Sequence, residues 1–187
     1  MRATLCAVWN VVSRWLGLGG LLMGLWPFSA HAAELQVGDV APAFELHDQR
    51  GEPHRLSDYR GHWVILYFYP KDDTPGCTTE ACAFRDDILT LRSLGATLLG
   101  VSLDETASHA RFAEKYGLPF PLLADPGGRV ADAYGALFSL GPLRFAKRHS
   151  FIIDPEGRIA RIYREVRPGE HSDQVIADLR ALQGGQR

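Results

Sequence analysis

The chain has 187 residues, 46% of them hydrophobic and 22% charged, with 20 basic residues against 22 acidic ones and a formal net charge of −2. This is enough chain for one domain with a sizeable core, in a composition ordinary for a globular protein. There is no repeat or low-complexity segment, and nothing basic enough to hold a nucleic acid or an anionic membrane surface.

Residues 1–32 read differently from the rest. They carry Arg2 and Arg14 and no acidic residue, and residues 15–28 form an apolar run rich in Leu and Gly. Ala30-His31-Ala32 then supplies the small-x-small pattern of a cleavage site, so the expectation is a secretory signal peptide cut after Ala32, followed by one domain over residues 33–187. The alternative is an uncleaved membrane anchor, but the run is short of the roughly 20 residues that span a bilayer. A transit peptide would be Ser- and Arg-rich without this apolar block. Cleavage leaves 18 basic against 22 acidic residues, a net charge of −4, on a periplasmic or secreted protein without membrane contact. It also removes Cys6 and leaves Cys77 and Cys82. An oxidising compartment permits a disulfide between these two. A bridge closing so short a loop is a poor staple, so redox chemistry is the better reading of the pair.

In chain order, residues 34–42 form an exposed lead-in, and 43–46 and 54–56 are the arms of a short hairpin around Gly51. Residues 57–61 make a turn or helical half-turn, and His62 is a surface histidine. Residues 63–69 (WVILYFY) are a buried strand of aromatic and β-branched residues. Residues 70–74 are a loop. Residues 75–93 then show helical periodicity, with Cys77, Ala81, Phe84, Ile88 and Leu91 on one inward face and Cys82 about 100° round from Ala81. A second buried strand covers 96–103 and a helix 104–116, with Gly117 as its C-cap. A short strand covers 121–124, and a helix 128–134 has Val130, Ala133 and Tyr134 on one side. Residues 135–147 read as a loop, with Phe138, Leu140, Leu143 and Phe145 packing over the core. Strands at 150–153 and 158–163 flank an Asp154-Pro155-Glu156-Gly157 turn. Residues 170–182 form a terminal helix with Val175, Ile176, Leu179 and Leu182 inward. This order is that of a thioredoxin-like α/β sandwich.

The chemistry concentrates in residues 70–85, PKDDTPGCTTEACAFR, at the carboxyl end of the first long strand, where open α/β sheets place their sites. Thr74 suits an N-cap, its hydroxyl accepting from a helix amide, and Pro75 suits the first helical position. Cys77 then lies in the first turn, where the helix dipole favours a thiolate. Asp72 and Asp73 work against the thiolate, and Lys71 offsets them only in part, so a fixed cation is needed.

Pro70-x-x-x-Thr74-x-x-Cys77 resembles the active-site signature of the peroxiredoxins. GCTTEAC, with a second cysteine five residues on, resembles their Q-type subgroup, also called bacterioferritin comigratory protein. GDVAPAFEL (38–46), LSDYRG (56–61) and RHSFIIDPEGRI (148–159) fall in that family's expected places. The resemblance implies the peroxiredoxin variant of the thioredoxin-like fold, with an N-terminal hairpin extension, and a thiol-dependent peroxidase. It makes Cys77 the peroxidatic and Cys82 the resolving cysteine, joined in turnover by a Cys77–Cys82 disulfide. Arg148 becomes the cation, Thr74 a hydrogen-bonding group at the reacting atoms, Pro70 a shield over the sulfur, and Glu80 a residue that orients arginine. The substrates are hydrogen peroxide and organic hydroperoxides, the partner is a thioredoxin-like dithiol reductant, and no metal or organic cofactor is implied. A monomer or weak dimer is expected.

Other functions fit less well. A thioredoxin-type thiol-disulfide carrier would show C-x-x-C rather than C-x-x-x-x-C. A zinc site needs about four ligands, and the seven histidines show no spacing that completes the two cysteines. A redox-inert binding domain has no need of Thr74, Cys77 and Arg148 together.

Overall fold

A computed structural model describes residues 34–185 of the chain. The expected leader and its cleavage site lie outside the described residues. A short hairpin opens the fold, β1 (Glu45–His47) with β2 (Pro53–Arg55), followed by one turn of 3-10 helix over Leu56–Tyr59. Strand β3 (Trp63–Phe68) leads into α1 (Pro75–Asp86) and α2 (Ile88–Ser93). Next come β4 (Ala96–Ser102), α3 (Thr106–Tyr116), β5 (Leu122–Ala124) and α4 (Arg129–Ala133). A second hairpin, β6 (Leu137–Leu140) with β7 (Leu143–Ala146), precedes β8 (Ser150–Ile153), β9 (Ile159–Tyr163) and α5 (His171–Gly184).

The main sheet has the order β2-β1-β5-β4-β3-β8-β9. At its centre β3 runs parallel to β4, with Tyr67 opposite Gly100, and antiparallel to β8, with Tyr67 opposite Ser150. Every residue of β3 is buried, because both faces of the strand are covered. Alternation divides the core in two. Trp63, Ile65, Tyr67 and Tyr69 meet Cys77, Ala81 and Phe84 of α1, Phe112 of α3 and Val175 of α5. Val64, Leu66 and Phe68 meet Leu46 of β1, Tyr134 after α4 and Phe151 of β8. This is the thioredoxin-like α/β arrangement with the N-terminal hairpin added on the sheet's β5 side.

The inward face expected for the central helix is the buried one, but the helix is broken. Asp87 (φ −94°, ψ 2°) separates α1 from α2. Two successive aspartates have side chains that compete with the helical backbone, and the chain bends there so that Ile88 and Leu91 stay on the sheet. In α4 the buried residue is Ala131, while Ala133 is exposed. The phase is set by Asp125, whose carboxylate accepts from the amides of Arg129 (3.0 Å) and Ala131 (2.8 Å) and fixes how the short helix starts.

Residues 137–146, expected from the sequence to be loop, form the β6–β7 hairpin around Gly141 (φ 56°). Phe138 and Phe145 face each other across it, ring centroids 4.7 Å apart. Leu140 and Leu143 at its tip are exposed rather than packed over the core. The hairpin also fixes the chain that leads into β8. Its base closes through the Lys147 amide on the Ala136 carbonyl (2.6 Å), and the Phe68 amide bonds the His149 carbonyl (2.8 Å). Arg148 is therefore held between two backbone anchors at the end of β3.

Candidate active site

Loop 70–74 begins where β3 ends, and α1 starts beneath it. Thr74 has extended backbone (φ −87°, ψ 150°), its carbonyl accepts from the Thr78 amide (2.8 Å), and Pro75 follows at the helix start. The cap differs from expectation in one respect. The Thr74 hydroxyl donates to the Lys71 carbonyl (3.0 Å), closing the loop on itself, and no side chain caps the first turn. The amides of Gly76 and Cys77 lie among those that an α-helix cannot satisfy internally, so they remain donors at the site.

Cys77 sits in this first turn, 1% exposed. Arg148 reaches over from the far side of β3 and places Nη2 3.3 Å from the Cys77 sulfur. Its Nη1 donates to Glu80 Oε2, and the two side chains form a salt bridge. Gly76 makes room for this, since a Cβ there would lie 3.2 Å from Arg148 Nη2. A guanidinium suits the position because it stays charged and offers donors in two directions at once. Burial works against that charge, but Glu80 and Cys77 hold the Arg148 pKa above its ordinary value.

Glu80 is fully buried, not a solvated helix charge. Burial pushes its pKa up to about 7 even against Arg148, and Oε1 has no hydrogen-bond partner. Tyr67 projects into the same region with its ring over Gly100, where a Cβ would stand 2.8 Å from the phenol oxygen. Its hydroxyl is buried and unpartnered.

The two aspartates expected to oppose a thiolate both engage partners on or beside α3. Asp72 is buried, accepting from the Tyr69 hydroxyl (2.8 Å) and paired with His109 Nδ1 (2.9 Å). Asp73 takes left-handed backbone (φ 57°) and points to the end of α3. There Lys115 Nζ lies 2.7 Å and the Tyr116 hydroxyl 2.6 Å from its carboxylate, holding it below the usual carboxylate range. Sequence reasoning missed His109, Lys115 and Tyr116. His109 had a signal, since it shares an inward helical face with Phe112 three residues on; the partners of Asp73 had none.

Thus Cys77, Glu80 and Arg148 are brought together, with Thr74 at the start of α1, its hydroxyl on Lys71, and half-buried Pro70 opening the loop. Cys82 is on the flank of α1, half-buried, and both cysteines are free thiols. His62 is exposed. Among the described residues one group has ligand atoms close enough for a metal ion, Asp48, Glu52 and His54 at the N-terminal hairpin. Arg50 already bridges its two carboxylates.

Residues 37–162 match the AhpC/TSA family. A peroxiredoxin Bcp of Bacillus subtilis is 42% identical over 156 residues, covering 79% of this chain and 97% of the relative. The crystal structure of peroxidoxin BcpB from Mycobacterium tuberculosis superposes with a TM-score of 0.75 at 38% identity, covering 79% of this chain and 98% of that one. A bacterioferritin comigratory protein of Xanthomonas campestris, studied for its alkyl peroxide reduction activity, superposes at 0.70 with 34% identity, covering 74% of this chain and 90% of that one. The match over residues 37–162 and these relatives define a thiol-dependent peroxidase, and the chain belongs to the AhpC/TSA family of peroxiredoxins. Within it the chain is a member of the peroxiredoxin Q/Bcp group, enzymes that reduce peroxides at the expense of a thioredoxin-like reductant.

Proposed function

We propose that Cys77 is the peroxidatic residue and that Cys82 resolves it within the same chain. The observation that carries this is the contact of 3.3 Å between the Cys77 sulfur and the Arg148 guanidinium in the first turn of α1. A fixed cation beside the sulfur favours the thiolate, which is the nucleophile. The thiolate attacks one peroxide oxygen, the O–O bond breaks, and the alkoxide or hydroxide leaves with a proton from solvent. Arg148 and the free first-turn amides face the charge that develops on the oxygens. The Thr74 hydroxyl, its own proton on the Lys71 carbonyl, accepts there from the O–H of the hydroperoxide, Pro70 screens the sulfur from water, and Glu80 orients Arg148. Cys77 becomes a sulfenic acid. Cys82 attacks its sulfur and displaces water, and two electrons from an external dithiol restore both thiols.

Hydrogen peroxide and organic hydroperoxides are the proposed substrates, on a monomer or weak dimer. Export to the periplasm or medium is proposed from Arg14, the apolar run over 15–28 and Ala30-His31-Ala32. Protein from the native host should then begin near Ala33, and an intact mass that retained Met1 would contradict export. The catalytic reading is tested by NADPH consumption coupled through thioredoxin and its reductase. Consumption should require peroxide and Cys77; disulfide reduction of insulin without peroxide would indicate a thiol-disulfide carrier instead.

A further inference from the structure

The two cysteines of α1 cannot meet while the helix is intact. Residues five apart on an α-helix have Cα atoms roughly 8 to 9 Å apart, and their side chains diverge by about 140°. A disulfide needs Cα atoms within about 7 Å and converging Cβ vectors. Some part of residues 74–86 has to unwind after Cys77 is oxidised. What holds that stretch in place therefore sets how fast the disulfide forms.

One residue grips it at both ends. Tyr116, the last residue of α3, donates its hydroxyl to Asp73 (2.6 Å) just before α1. Its backbone carbonyl accepts from Arg85 Nη1 (2.8 Å) in the last turn of α1. Cys77 and Cys82 both lie between these two contacts. Lys115 adds a charged grip on Asp73, with Nζ 2.7 Å from Oδ2. Asp73 is the one non-glycine with positive φ among the described residues, a conformation that persists only when its surroundings fix it. The Tyr116 ring is anchored in turn, edge-on to Phe112 at 5.3 Å and half-buried against the core.

We propose that the carboxyl end of α3, Tyr116 with Lys115, is a latch on α1 that sets the balance between the helical form, which meets peroxide, and the unwound form, which closes the Cys77–Cys82 disulfide. The proposal rests on the peroxidatic and resolving roles of those two cysteines. Tyr116 and Lys115 are positioning residues, because neither touches Cys77 or Arg148. A tight latch keeps Cys77 as sulfenic acid for longer. A second peroxide can then oxidise it to the sulfinic acid, with release of a further alcohol or water. A loose latch favours the disulfide.

The test uses the full chain, Tyr116→Phe and Lys115→Met. Tyr116→Phe keeps the ring and the carbonyl contact and removes only the hydroxyl grip. Acid-quenched samples would be alkylated and resolved by mass into thiol, sulfenic, sulfinic and disulfide forms. In Tyr116→Phe, which leaves Lys115 on Asp73, peroxide consumption by the Cys77 thiol should be unchanged; in both variants disulfide formation should be faster, by about fivefold for the loss of one such bond, and sulfinic acid yield lower. A variant that merely damaged the fold would lose the first step instead. Amide exchange across residues 78–85 in the reduced protein should also rise in both variants. This arm needs no peroxide, so it decides the latch even if Cys77 proves unreactive, a result that would overturn the catalytic assignment alone. Disulfide rates and exchange equal to those of the parent chain would overturn the latch.

Discussion

At the scale of single residues, the site is a line of contacts from Glu80 through Arg148 to Cys77. Arg148→Met should slow alkylation of Cys77 at neutral pH and cut the rate of peroxide reduction by roughly two orders of magnitude, as removal of one fixed donor to a developing oxyanion does elsewhere. Rapid-mixing kinetics with peroxide and with a thiol alkylator check this, and unchanged rates would return Arg148 to an ordinary charge. Gly76 gives a subtler case. Gly76→Ala adds helix propensity worth up to about 1 kcal/mol, yet its Cβ would press on Arg148 Nη2 at 3.2 Å. We expect equal or higher stability in urea together with a lower peroxide rate, and a rate that stayed level would show that Arg148 has slack. Cys77 and Thr74 stand in the Pro70-x-x-x-Thr74-x-x-Cys77 signature, whereas Arg148 was expected only from the family resemblance of residues 148–159. The sequence could not show where Asp72 and Asp73 point, because their partners, His109, Lys115 and Tyr116, are more than thirty residues away and belong to another helix.

At the scale of elements, α1 is the part that has to change. Its inward face was readable from periodicity, since Cys77, Ala81 and Phe84 recur at helical spacing and all are buried. The break at Asp87 preserved that periodicity and so left little trace in the sequence pattern. The β6–β7 hairpin went unread for the opposite reason. Its apolar residues face both solvent and protein, so strict alternation is lost, although the Gly141-Pro142 turn between two four-residue arms was a usable signal. Once the disulfide has formed, the turns of α1 between Cys77 and Cys82 can no longer be regular helix. Amide exchange over residues 78–85 should therefore be faster in the disulfide form than in the reduced form. Equal protection, with the bridge confirmed by mass, would contradict the unwinding.

At the scale of the whole molecule, two buried groups tie stability to pH with opposite sign. Glu80 has its pKa raised by burial to about 7 from 4.5. Its contribution is fully present below pH 4.5 and is lost as pH rises through about 7. His171, packed between Phe84 and Tyr163 and bonded to the Ser150 hydroxyl (2.9 Å), has its pKa lowered by burial to about 4 from 6.5. Its contribution is present above pH 6.5 and is lost as pH falls through about 4. Each amounts to about 3 kcal/mol at most, and between pH 4.5 and 6.5 the two slopes oppose one another. Urea unfolding should show little net change from this pair in the parent chain. Glu80→Gln should become less stable as pH falls through that window, and His171→Gln more stable. Parallel profiles for all three proteins would contradict these assignments.

The central claim is that peroxide oxidises Cys77 and that Cys82 captures the product. It is tested most directly by treating the reduced protein with one equivalent of hydrogen peroxide, then measuring intact mass and mapping peptides. The account predicts loss of two hydrogens in a Cys77–Cys82 linkage for the parent chain. In Cys82→Ser it predicts one added oxygen, on Cys77. Both thiols left reduced, or oxidation of Cys82 with Cys77 untouched, would contradict it.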